Sequence, residues 1–288
     1  MIRFETIADL VQLGTEEAAP ISEIVLRSEA ESSRQSRFIV MATMGENWRV
    51  MKEAIERGVE NRERSLSGLT GGDAEKLFAH RNKGYLGAAA LAAAAYAVGV
   101  GEVNAAMGRI VACPTAGSCG IVPAALYTAM KQGKSEEAII QSLFTAAGIG
   151  MVIEANASIA GATGGCQAEC GSAAGMAAAA LTELGGGDPE TVSHAAALAI
   201  KNLLGLVCDP VAGLVEVPCV KRNGFAAVHA MLAADMALAG IRSVIPADEV
   251  IEAMKNIGRA LPRTLKETAE GGLAMTTTAQ KITQKLYG

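Results

Sequence analysis

The chain has 288 residues, half of them apolar yet only 3% aromatic, and a formal net charge of −5. That length carries one large or two modest domains with a substantial core. Its charges form no basic block and no aromatic–basic interleaving, which excludes a phosphate-backbone footprint and nucleic acid as a partner.

The N-terminal MIRFETIADLVQLG lacks a basic start followed by an unbroken apolar run, so no signal peptide is expected. The expected compartment is cytoplasmic, where six cysteines are reduced, metal-bound or catalytic rather than paired. Alanine dominates the apolar content; it is the best helix former and lets helix axes approach closely. Residues 1–65 read as a charged helical region, with Pro20 suited to a first helical turn. SGLTGGD, Ser67 to Asp73, is a glycine-rich break, and an alanine-rich helix is expected from Gly84 to Ala112. Its most apolar part, LGAAALAAAAYAVGVG from Leu86 to Gly101, falls short of the roughly 20 residues that span a bilayer, so a buried core helix is expected and no membrane partner.

Three stretches dense in glycine, cysteine, threonine and proline read as loops: CPTAGSCG from Cys113 to Gly120, SIAGATGGCQAECGSAAG from Ser158 to Gly175, and GLVCDPVAGLVEVPCVKRNG from Gly205 to Gly224. Between and after them, helices are expected at Ile121–Lys131, Ser135–Asn156, Ala173–Leu184, Pro189–Leu206, from Gly224 to about Gly240, and at Pro246–Gly258. LPRTLKETAEGGLAMT adds a short helix and a glycine loop near the C-terminus. The expected fold is all-α: a single large helical domain, 66–288, with functional loops on one side and the 1–65 helices packed on it. So many glycines in an apolar chain need a reason, because each costs ordering entropy; close backbone approach to a ligand supplies one.

The cysteines are Cys113, Cys119, Cys166, Cys170, Cys208 and Cys219, with no CxxC pair among them. That spacing rules out short zinc-ribbon and ferredoxin motifs. Thiolates suit iron–sulfur clusters or zinc, whereas a free cysteine elsewhere behaves as a small buried hydrophobe. All six lie in or beside glycine/proline loops, where functional residues concentrate. His80, His194 and His229 are catalytic candidates, but the last two fall in alanine-rich helices, where a hydrogen-bonded core histidine is expected. Lys221, Arg222 and Asn223 follow Cys219 and either reach an anionic group or form a solvated turn. The sequence offers no clear lysine setting for pyridoxal phosphate, with Lys83 in HRNKGY left open.

Together SGLTGGDA, EVNAAMGRIV, PTAGSCGIVPAAL, SIAGATGGCQAECG and LLGLVCDPVAGLVEVPC resemble the alpha subunit of iron–sulfur L-serine dehydratases, from about Ser28 to the C-terminus. The family holds a 4Fe–4S cluster on a C-x41-C-x10-C set, which Cys166, Cys208 and Cys219 reproduce with offsets of 42 and 11. Three ligands on four irons leave one iron open as a Lewis acid for converting L-serine to pyruvate and ammonia. The resemblance further implies that Ser67, Thr70, Gly71 and Gly72, with Thr115, Gly117 and Ser118, supply hydroxyl and amide donors for the substrate carboxylate; the alternative is an ordinary turn or helix cap. Cys119 and Cys170 would line the site, and Cys113 would be structural. Single-chain family members carry an N-terminal beta domain whose SSSHT-type motif supplies the candidate base. No counterpart occurs in this sequence, so a separate beta chain and an oligomer are expected, with the base unassigned in this chain. Competing readings are L-cysteine desulfidation on the same scaffold, a non-enzymatic iron–sulfur sensor, and a zinc site.

Overall fold

Thr6 opens the first helix, α1 (Ile7–Glu16), with a reciprocal capping box: its side chain accepts from Asp9 N–H, and the Asp9 carboxylate accepts from Thr6 N–H at 2.9 Å. The computed structural model describes residues 2–60 and 64–288. These form a single all-α domain with thirteen α-helices and no strand among the described residues. After α1 come α2 (Ile21–Ser33), capped at Pro20, and α3 (Arg37–Glu60). Next is α4 (Asp73–His80), in a stretch where the sequence predicts no helix. The buried Glu102 carboxylate accepts from Asp73 N–H at 2.8 Å and Ala74 N–H at 3.3 Å, a distant cap that local sequence does not reveal.

The alanine-rich helix α5 (Ala88–Ala105) is shorter at both ends than the expected Gly84–Ala112. Met107 takes a left-handed φ of 62°, and Gly108 N–H turns back to Val103 carbonyl at 2.8 Å, closing the helix. α6 (Ile121–Lys131) matches expectation, as does α7 (Glu136–Asn156), whose N-cap is Ser135. The expected loop 158–175 is instead mostly helical: α8 (Gly161–Gly164), a π-helical turn at Gln167–Gly171, then α9 (Ser172–Leu184) without a break. α10 (Pro189–Lys201) ends before the expected Leu206, in turns that lead to Gly205 at φ 85°. α11 (Cys219–Leu238) begins five residues earlier than expected, so Lys221, Arg222 and Asn223 stand on its first turns and not in a loop. α12 (Ala247–Ala260) and α13 (Thr277–Tyr287) complete the chain; the sequence predicts the former and not the latter.

One core runs from Ile7 to Met254, and the N-terminal helices contribute Ile24, Trp48 and Ile55 to it. Its middle is α5, on which three neighbours close through small residues. A side chain on Gly58 of α3 would meet the Gly99 backbone at 2.4 Å, and one on Gly120 would meet Ala97 carbonyl oxygen at 2.2 Å. Gly224 of α11 is similarly close to Ala94 carbonyl oxygen, at 3.1 Å. Four of the ten aromatics form a chain at α5: Phe78, Tyr96, Tyr127 and Trp48, with Tyr96 and Tyr127 edge to face at 5.0 Å. By length and composition α5 and α7 would each suffice to cross a membrane, but more than half of each is covered by other helices of the domain.

Candidate functional site

The three cysteines at offsets of 42 and 11 come from three different elements. Cys166 precedes the π-helical turn, which Gln167 pins in place: its backbone N–H donates to Leu206 carbonyl at 2.9 Å, and its side chain bonds Met254 carbonyl and Gly205 N–H. Cys208 lies in an extended segment paired in parallel with Lys266, donating to Leu265 carbonyl at 2.9 Å and accepting from Glu267 N–H at 2.8 Å. Cys219 opens α11 behind Pro218. Their exposures are 2%, 2% and 6%.

The three thiols lie within electrostatic reach of one another. Burial pushes the Cys219 thiol up to about 12 and raises Cys208 further. Cys166 moves the other way: its 3.4 Å contact with Cys170 lowers it, and the Arg222 guanidinium adds to that. The same contact raises Cys170. Cys166 is therefore the readiest thiolate of the set. Arg222 is held for this task by Asp209 at 3.0 Å and Val207 carbonyl at 2.8 Å. Asp209 in turn accepts from Leu273 N–H at 2.8 Å, which ties the C-terminal segment to the Cys208 segment. Cys113 and Cys119 are also buried, but both are raised to about 12 by burial, and no cation is among the causes.

A residue that the sequence reading passed over lies between these thiols and the Thr115 loop. Glu169, in the π-helical turn, is 7% exposed. Its Oε1 accepts from Thr115 hydroxyl at 2.7 Å, and its Oε2 is 3.8 Å from Cys208 Sγ. A side chain on Gly117 would meet Oε1 at 2.9 Å, and one on Gly161 would meet Oε2 at 2.7 Å and Cys208 Sγ at 3.1 Å. Burial raises its carboxyl above the usual range, only partly countered by Thr115. Asn223 locks the Thr115–Gly120 loop to α11, donating to Gly117 carbonyl at 2.8 Å and accepting from Gly120 N–H at 2.9 Å. Ser118 Oγ is 3.1 Å from Thr115 Oγ1, and the two residues form a reciprocal capping box in which Thr115 N–H donates to Ser118 Oγ at 3.4 Å. The Ala116 and Gly117 amides have no intrahelical acceptor.

The SGLTGGD segment stands beside the stretch that leads to Cys219. Ser67 hydroxyl is taken up by both oxygens of buried Glu216, at 2.9 and 2.8 Å. The amides after Gly72 are taken up by Glu102, whose cap leaves Gly71 and Gly72 as its turn. Thr70 differs: its hydroxyl is buried and has no hydrogen-bond partner. Asp73 pairs with Lys221 at 2.9 Å, joining α4 to α11. A cleft of about 480 Å³ on the loop's outer side is lined by Arg64, Gly71, Gly72, Glu75, Lys76 and Ala79, with no cysteine in its wall.

Among the described residues no hydrogen bond or ion pair joins the histidines to the thiols. His80 is exposed at the end of α4, followed by exposed Lys83. His229 fastens α11 to α10 through Ala199 carbonyl at 2.8 Å, and His194 sits 3.7 Å from Glu190 on α10.

The donor set fits an iron–sulfur cluster. Three buried soft thiols from separate elements lie within electrostatic reach of one another, and Cys166 is shifted towards its thiolate. Gly161 packs so close to Cys208 that a Cβ there would meet its sulfur at 3.1 Å. Among the described residues no three His, Cys, Asp or Glu side chains converge as ligands of a single ion. A cluster takes one thiolate per iron, so its ligands stand further apart than those of one ion.

Residues 16–274 match the family described as "Serine dehydratase alpha chain". The chain is 50% identical over 288 residues to "Probable L-serine dehydratase, alpha chain" of Bacillus subtilis (strain 168), covering 99% of this chain and 96% of that one. It is 41% identical to "L-serine dehydratase, alpha chain" of Peptoniphilus asaccharolyticus, with 96% of each covered. It is also 42% identical to "L-serine dehydratase" of Streptomyces coelicolor (strain ATCC BAA-471 / A3(2) / M145), spanning 94% of this chain and 61% of that longer protein. With a match that spans most of its length and near-complete alignment to two alpha chains, this chain belongs to the serine dehydratase alpha chain family.

Proposed function

We propose that this chain is the alpha chain of an L-serine dehydratase, holding a 4Fe–4S cluster on Cys166, Cys208 and Cys219 and working with a beta chain. The observation that carries the reading is the gathering of three buried thiols, 42 and 11 residues apart, beside the Thr115–Ser118 loop in a member of this family. When bound, the cluster supplies a Lewis acid that polarises the substrate β-hydroxyl and stabilises the charge it carries away.

The chain's own residues do the rest. Arg222 balances the Cys166 thiolate, and Asp209 keeps the guanidinium aimed there. The free Thr70 hydroxyl and the Ala116 and Gly117 amides of the Thr115–Ser118 turn offer donors to the substrate carboxylate. Ser67 and Gly72 shape that corner through Glu216 and Glu102. L-Serine loses its Cα proton to a base and its β-hydroxyl as water; the enamine becomes the imine, which water hydrolyses to pyruvate and ammonia. His194 and His229 are engaged in helix packing and His80 is exposed at the end of α4, so the base is assigned to the beta chain. The names of the alpha-chain relatives support such a partner.

The test is pyruvate and ammonia formation from L-serine by the anaerobically loaded chain with its partner, against L-cysteine as the rival substrate. Turnover of serine that is lost in Cys166→Ala, Cys208→Ala and Cys219→Ala is expected. Release of pyruvate and sulfide from cysteine, with serine inert, would move the assignment to desulfidation.

A further inference from the structure

The geometry points to Glu169 as the residue that binds the α-ammonium group of the amino-acid substrate, an inference that rests on the function proposed above. Glu169 is more than nine-tenths buried, yet among the described residues no cation is bonded to it. Its neighbours are Thr115, the thiols of Cys166, Cys170, Cys208 and Cys219, the carboxylate of Glu267, and Arg222. Every charged or ionisable member of that group is acidic except Arg222, which is already committed to Asp209 and Val207 carbonyl. A carboxylate taken out of water without a cation is expensive, and native sites compensate with a paired charge. Among the described residues no cation is bonded to Glu169, and the substrate carries one.

The two carboxylate oxygens are unequal. Oε1 holds a short hydrogen bond from Thr115, while Oε2 has only the 3.8 Å contact with Cys208 sulfur. A cysteine bound to iron is a thiolate and has no proton to give, so Oε2 is the oxygen left for an N–H donor. The Gly117 and Gly161 backbones pack close against the carboxyl, where a Cβ would meet its oxygens at 2.9 and 2.7 Å, so a side chain at either position would displace the carboxylate. The same arrangement orients the substrate. With its ammonium on Glu169 and its carboxylate towards the Thr115–Ser118 turn, the Cα substituents are fixed relative to the thiols. Three-point attachment of this kind selects an α-amino acid over a simple hydroxy acid.

The probes are L-serine and 3-hydroxypropionate, which is serine without the amino group. Dissociation constants are read from the visible absorption of the loaded alpha–beta protein under anaerobic conditions. The wild-type protein is expected to prefer L-serine, and Glu169→Gln to lose about tenfold or more of that preference while retaining its iron, because one charge-assisted hydrogen bond is removed. KM for L-serine should rise more than kcat falls. Equal affinity of the wild-type protein for the two probes overturns the inference, as does an unchanged preference in Glu169→Gln. If Glu169→Gln does not hold iron, Thr115→Val decides: freeing Oε1 should leave the preference at least as large as in wild type, and a lost preference overturns the inference. Pyruvate formation with a preference that Glu169→Gln leaves intact refutes this inference alone. A Glu169-dependent preference without any pyruvate refutes the reaction and leaves the ammonium site standing.

Discussion

The alanine-rich interior and the thiol-bearing end of this molecule solve burial in opposite ways. Inside, α11 packs on α5 and α9, and α9 on α10, through alanine and glycine. Polar groups are few there: Thr128 and Thr182 donate to the carbonyls four residues back, each at 2.8 Å, and the buried Thr145 and Ser172 hydroxyls have no partner among the described residues. At the thiol end lie Glu102, Glu169, Asp209 and Glu216, all buried, and each bonded to a partner distant in sequence. A small-residue interior fixes helix distances tightly and tolerates loss of polarity; a polar network fixes directions and tolerates little loss of any member. The first region is therefore brittle to added volume, and the second to a removed charge.

That contrast can be broken most forcefully at Arg222. Replacing it by Met strands Asp209, whose side chain is 4% exposed, with one N–H donor, and a loss of about 3 kcal/mol in denaturant unfolding is expected. The double change Asp209→Leu, Arg222→Met should recover much of the loss, because no charge is then left unpaired. A single change without effect would place the network outside the stability of the fold.

In the interior the corresponding probe is Gly58→Ala, one methyl group against the Gly99 backbone. It should cost about 2 kcal/mol by forcing α3 from α5, with iron loading unaltered. Smallest of the three, Asp188→Ala removes the α10 cap that Thr191 N–H uses at 2.8 Å, for about 1 kcal/mol. Here the pH dependence has a definite sign. The Thr191 hydrogen bond holds the Asp188 carboxyl below its ordinary 3.8, so its stabilisation is complete above that value and fades as pH falls through the folded value. The gap between wild type and Asp188→Ala should be widest near neutral pH and close in acid.

The interior was the legible half. Alanine content, helical spacing and flanking caps located α6, α7 and α12 almost to the residue, because their ends are set by neighbours such as Ser135 and Pro246. At the thiol end local signals misled. Glycine and cysteine density reads as loop, yet residues 161–184 are nearly continuous helix, since those small residues serve close packing as well as turning. Helix α4 is invisible locally because its cap, Glu102, lies 29 residues on. Glu169 was passed over because a glutamate is expected on the surface. One signal was available: it is the only charged residue between Glu154 and Glu183. A single acid in so long an uncharged run has no ionic neighbour in sequence and must find its partner through the fold.

The central claim, that Cys166, Cys208 and Cys219 act together as the ligands of one cluster, is tested most directly by iron and acid-labile sulfide per chain after anaerobic loading. The wild-type chain and Cys113→Ala, whose thiol lies outside the set, should each carry roughly four of both. Cys166→Ala, Cys208→Ala and Cys219→Ala should each lose them together with the visible absorption. Full iron and sulfide in any one of those three would contradict the assignment.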